Sequence, residues 1–114
     1  MLPRLVGLPH ALDLMLSARK ITAQEALAMG LVSQVHPAAA LADAVRAYAR
    51  ELADLISPRS IRVMKRQLWE AQFQTLAEAT QAADEEMRRS FSAEDFKEGV
   101  AHFVEKRAPR FTGR

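Results

Sequence analysis

The sequence predicts a mostly α-helical fold with one short strand near residues 32–35, and three observations carry that prediction. Leu41, Ala44, Val45, Tyr48, Leu52 and Leu55 recur at three- and four-residue spacings, which gathers them on one face of a helix. Thr22 with Glu25, and Thr75 with Glu78, each form the pattern of a capping box. In such a box the hydroxyl accepts from the amide three residues on, while the carboxylate reaches back to the cap's own amide. Val32 to Val35 alternates apolar with polar, the period of a strand, before Pro37 removes a donor and starts a turn.

Taken in order, Leu8 to Ser17 reads as a helix whose Ala11, Leu12, Leu14, Met15 and Leu16 run round most of its circumference, which implies burial on more than one side. Ser17, Arg19 and Lys20 supply a polar joint to the short helix that Thr22 and Glu25 open. Gly30, free to take positive φ, closes that helix, and Leu31 is placed to pack back on its last turn. After Pro37 comes the amphipathic helix over 41–56, with Asp43, Arg46, Arg50 and Asp54 on its far side. Ser57-Pro58 ends it and starts the next, because Ser suits a cap and Pro suits the first helical position, where no amide is needed. In that helix Ile61, Met64, Leu68 and Ala71 form one stripe, while Val63, Trp69 and Phe73 lie off it, which implies a second contact surface. Thr75 opens a helix to about Arg89 with Leu76, Ala79, Ala83 and Met87 on its apolar face. Ser92, with Asp95 three residues later, starts a last helix whose inward set is Phe96, Val100, Phe103 and Val104, and which Pro109 stops. The tail from Arg110 is expected to be mobile unless something holds it.

At 114 residues, 49% of them hydrophobic, the chain holds one domain at most and a modest core. No stretch of eighteen apolar residues could span a membrane and no signal-peptide pattern is present, so the expected location is cytoplasmic. The absence of cysteine excludes a disulfide framework, a thiolate nucleophile and a sulfur-bound metal. A net charge of +2, spread along the chain, does not imply nucleic acid. A lone strand leaves its amides and carbonyls unpaired, so residues 32–35 need a sheet from elsewhere. Together with helices apolar on two sides, this implies another domain, another subunit, or both.

Candidate chemistry is sparse. Glu85 and Glu86 are adjacent on a helix and point apart, while Glu94, Asp95 and Glu98 sit near a helix start, where acidic side chains favour the dipole. His10, His36 and His102 are isolated and have no metal-ligand spacing. No Gly-rich phosphate loop or nucleophile elbow occurs.

Two separated stretches carry a resemblance. Gly7 to Pro37 (GLPHALDLMLSARKITAQEALAMGLVSQVHP) and Phe91 to Phe111, with its Glu98-Gly99, Phe103 and Glu105-Lys106-Arg107, resemble the C-terminal region of the enoyl-CoA hydratase/isomerase family, the crotonase superfamily. The resemblance covers essentially the whole chain and implies a C-terminal fragment. Residues 1–36 would then end the region of the ββα-spiral core, and 37–114 would form a helical region for oligomerisation and CoA contact. It further implies that the oxyanion-hole amides and the acid/base carboxylates of this lyase and isomerase family lie upstream, so no catalytic residue is assigned here. The implied ligand is the CoA moiety of an acyl-CoA, with no covalently bound cofactor, and the implied assembly is a homotrimer or a dimer of trimers. Lys106 matches a family lysine that contacts phosphate of the adenosine part, across the interface with a neighbouring subunit, and a long-stemmed ammonium suits that reach. Arg107 is its helper, Phe103 belongs to the same segment, and Met87 stands where some members place an aromatic beside the adenine. Phe103 and Met87 are also readable simply as core residues.

Two other readings stand beside this one. A free-standing helical interaction module could pair with crotonase-type subunits. A helix-turn-helix DNA binder over Thr22 to Val35 is opposed by Pro37, by the strand-like alternation and by the scarcity of Lys and Arg there. Hydration, double-bond shift, dehalogenation, hydrolysis and ring cleavage are all housed in the superfamily, so the resemblance leaves the reaction open.

Overall fold

The computed structural model describes residues 1–114 as seven α-helices and one turn of 3-10 helix, without a strand. It divides into two compact units, Met1–Val45 and Arg46–Arg114.

In the first unit, α1 (Leu2–Val6) and α2 (Leu8–Ser17) each carry a proline in their first turn, where a missing amide costs nothing. α1 was not anticipated from the sequence. Gly7, at φ 80° and ψ 159°, turns the chain between them, a conformation that a side chain would resist. Val6, Ala11 and Ala26 are the buried apolar residues. The expectation that α2 is covered on several sides is not met within this chain: Leu12, Met15 and Leu16 stay 48%, 70% and 81% exposed, because no element here packs over them.

α3 (Ala23–Ala28) opens on the expected box, with the Glu25 amide donating to Thr22 Oγ1 at 3.2 Å and the Thr22 amide to Glu25 Oε2 at 2.8 Å. It closes with Gly30 at φ 75°. The Gly30 amide donates to Leu27 O at 3.1 Å and the Leu31 amide to Ala26 O at 2.8 Å, the paired bonds of a Schellman end. Residues 32–35 do not form the expected strand, since a ladder requires a partner edge and these helices offer none. Pro37 begins a helix rather than a turn: its carbonyl accepts from the amides of Ala40 and Leu41, and α4 runs Ala38–Leu55 with no buried residue.

In the second unit, Ser57 caps α5 (Pro58–Glu70), which tightens into a 3-10 turn over Ala71–Phe73. Thr75 and Glu78 make the second capping box, and α6 runs Leu76–Phe91. α7 spans Glu94–Glu105, but its cap is Ala93, not Ser92. Ser92 holds a helical backbone at the end of α6 and donates to Arg89 O at 3.0 Å, whereas Ala93 has the extended conformation that a cap needs. The buried residues of this unit are polar, namely Ser57, Glu86 and Asp95. No helix of the chain is long and apolar enough to cross a membrane.

Candidate functional site at the end of α7

Phe103 lies in the last turn of α7, and Lys106 and Arg107 follow directly at its end. Lys106 leaves the helix at φ 53° and ψ 40°, its amide bonded to His102 O, and the Arg107 amide follows onto the same carbonyl at 3.2 Å. A residue with a Cβ is held in this left-handed region at a cost of roughly 1–2 kcal/mol. Neighbouring contacts must therefore supply that energy. Arg107 grips both oxygens of Glu98, Nη1 to Oε1 at 2.6 Å and Nη2 to Oε2 at 2.9 Å, and its Nε donates to Glu105 at 2.5 Å. The Arg110 amide adds a 2.6 Å bond to Glu98 Oε1. Held by Arg107 first and by that amide, the Glu98 carboxyl sits at about 2, well below its ordinary value, and the Arg107 guanidinium is pushed up in turn. Lys106 is exposed and makes no ion pair.

Phe103 and Val104 do not face inward as the sequence predicted; they are 79% and 71% exposed. The packed side of α7 is instead Asp95, Glu98 and His102, because the tail folds back along it. Thr112 and Gly113 donate their amides to Asp95, the Asp95 amide donates to Arg114 O at 2.9 Å, and Phe111 meets the His102 ring edge-on at 5.9 Å. The tail is thus held by its own chain. Burial alone would push the Asp95 carboxyl up. The hydroxyl of Ser57, at 2.5 Å, and the two tail amides outweigh it and keep the group below its usual range.

Met87 lies elsewhere. It lines a cleft of about 450 Å³ with Val63, Met64, Phe91 and Phe96, and none of Phe103, Lys106 or Arg107 borders that cleft. Met87 is 61% exposed, so within this chain neither it nor Phe103 is core. Beside it Glu86 is buried among three guanidinium groups, Arg66 at 2.5 Å, Arg89 at 3.2 Å and Arg59 at 3.3 Å, and Arg66 above all depresses its carboxyl. Glu86, Asp95 and Glu98 are therefore fixed anions, poorly suited to trade protons near neutral pH. No group of three or more His, Cys, Asp or Glu side chains is arranged to hold a metal.

Sequence reasoning missed Glu98 as the organiser of this turn, because Arg107 lies nine residues away and no helical spacing links the two.

The family model for enoyl-CoA hydratase/isomerase matches residues 1–114. Among curated proteins, a probable enoyl-CoA hydratase of Mycobacterium tuberculosis is 38% identical over 113 residues, covering 99% of this chain and 44% of that protein. One from Rhodobacter capsulatus is 35% identical with the same coverages. Among solved structures, a probable enoyl-CoA hydratase/isomerase of Mycobacterium abscessus superposes with a TM-score of 0.94 at 33% identity, over 99% of this chain and 44% of that one. The enoyl-CoA hydratase of Geobacillus kaustophilus gives 0.91 at 36% identity, over 99% and 42%. The chain spans less than half the length of the relatives it matches.

Proposed function

The chain belongs to the enoyl-CoA hydratase/isomerase family, and on that footing we propose that it is a contact-forming, CoA-nucleotide-binding region for acyl-CoA chemistry, inactive by itself. One observation carries this reading. Helices with clear apolar faces bury only Val6, Ala11 and Ala26, while Leu16, Leu76, Phe103 and Val104 stand more than two-thirds exposed, so these faces suit a further domain or further subunits. A homo-oligomer, trimeric or doubly trimeric, is the assembly we infer.

The division of labour follows from the chemistry. Turning a thioester carbonyl towards an enolate needs aimed donors where charge develops and a group that moves a proton. The carboxylates described above are committed to guanidinium groups, a hydroxyl and tail amides. Lys106 differs, since its ammonium is solvent-facing and unpaired, which suits a phosphate of the CoA nucleotide. Phe103, exposed one turn before it, is an apolar neighbour for that ligand, and Met87 offers a soft, polarizable surface in the separate cleft.

Crotonyl-CoA tests the reading. The purified chain is expected to leave its absorbance unchanged, and measurable hydration would overturn the inactivity. Replacing Lys106 by Gln is expected to weaken CoA binding about tenfold, the worth of one charge-assisted hydrogen bond. Unchanged affinity would make Lys106 an ordinary surface residue.

A further inference from the structure

We propose that Glu98 is a positioning residue for Lys106, setting the turn that presents its ammonium and keeping that ammonium unpaired. The inference rests on the reading of Lys106 as the phosphate contact.

Two residues that follow Lys106 converge on one carboxylate that precedes it, so the bonds bracket the turn. Arg107 forks onto Glu98 at 2.6 and 2.9 Å, the Arg110 amide reaches it at 2.6 Å, and Arg107 also ties Glu105 and the carbonyl of Ala108. Lys106 sits between these anchors at positive φ, a conformation its side chain disfavours. Two consequences follow. The strained turn persists because its flanks are pinned, so the ammonium has a fixed point of departure. The neighbouring anions Glu98 and Glu105 are both occupied by Arg107, so neither neutralises Lys106. A planar guanidinium satisfies two carboxylates in a way that an ammonium does not, which accounts for the order Lys106-Arg107.

The sign of one substitution separates positioning from plain electrostatics. Glu98→Gln keeps the shape but removes a negative charge near an anion site, and charge alone would therefore tighten CoA binding. Loss of the fork would weaken it. CoA is titrated calorimetrically at low ionic strength into the 114-residue chain, with helix content checked by circular dichroism. Glu98→Gln is expected to bind at least threefold more weakly, and Lys106→Gln about tenfold more weakly. The double variant is expected to bind no more weakly than Lys106→Gln, because Glu98 acts through Lys106. If Glu98→Gln loses helix, Arg107→Lys replaces it: charge is kept, the fork is lost, and the same weakening is expected. Weakened binding in Lys106→Gln with equal or tighter binding in Glu98→Gln, or with additive losses in the double variant, overturns this inference alone. Wild-type affinity in Lys106→Gln overturns the CoA reading beneath it as well.

Discussion

Ala18, Gly30 and Lys106 close three helices with positive φ, at 49°, 75° and 53°, yet only Gly30 is of the residue type that adopts this conformation freely. At Gly30 an added Cβ would meet nothing nearer than Leu5 O at 3.8 Å, an ordinary contact, so backbone strain and not a clash decides the outcome. Gly30→Val is expected to lower stability by about 1–2 kcal/mol, read as a shift of the urea midpoint. An unchanged midpoint would remove Gly30 from the Schellman end. Ala18 makes the opposite case. Relief of roughly 1–2 kcal/mol of left-handed strain competes with about 0.4–1 kcal/mol of extra freedom in the unfolded chain. Ala18→Gly is therefore expected to raise stability by about 0.5 kcal/mol in the same measurement.

Among the elements, α7 and the tail are joined by anions whose protonation should part them. Glu98 sits at about 2 and Asp95 is also lowered, so both contribute stability that is complete above their unfolded values and lost as the pH falls through their folded ones. From about pH 5 down to about 2, the amides of Arg110, Thr112 and Gly113 are expected to lose protection in hydrogen exchange, before α7 itself melts. Simultaneous loss along α7 would mean that the tail is no separate element. Glu25 is held at about 2 by the Thr22 amide and by Arg19, so the start of α3 should loosen in the same window. What sequence reading reached and what it missed divide by distance along the chain. Both capping boxes, the Ser57-Pro58 joint and the Gly30 stop were legible because each is settled within five residues. The Ser57 to Asp95 bond spans 38 residues and the tail clamp 17 or 18, and nothing local in either partner announces the other. The alternation at 32–35 was legible too, but a strand is a property of two edges and this chain supplies only one. At the candidate site Lys106 was singled out only through the family resemblance, and its role is the proposal made above, whereas the Glu98 fork beside it had no signal in the sequence.

For the whole molecule the telling quantity is uncovered apolar surface. Leu12, Met15 and Leu16 on α2, Leu41, Val45 and Tyr48 on α4, Leu68 on α5, Leu76 on α6, and Phe103 and Val104 on α7 are all exposed. Full burial of such a side chain is worth roughly 1.5–3 kcal/mol, so covering ten of them offers on the order of 15–30 kcal/mol as an upper bound. Association costs about 4–15 kcal/mol in lost translation, rotation and side-chain freedom. Realised in full, that burial equals or exceeds the cost of association, so these faces favour partners that cover most of them. At micromolar concentration the chain is expected to scatter light as a multiple of its 12.7 kDa mass, and to bind a hydrophobic dye when diluted until it dissociates. Replacing Leu12 and Leu16 together by Gln should shift that equilibrium towards the monomer without lowering helix content, because both side chains already face solvent in the single chain. A monomer at every concentration that takes up no dye would show that these faces need no cover.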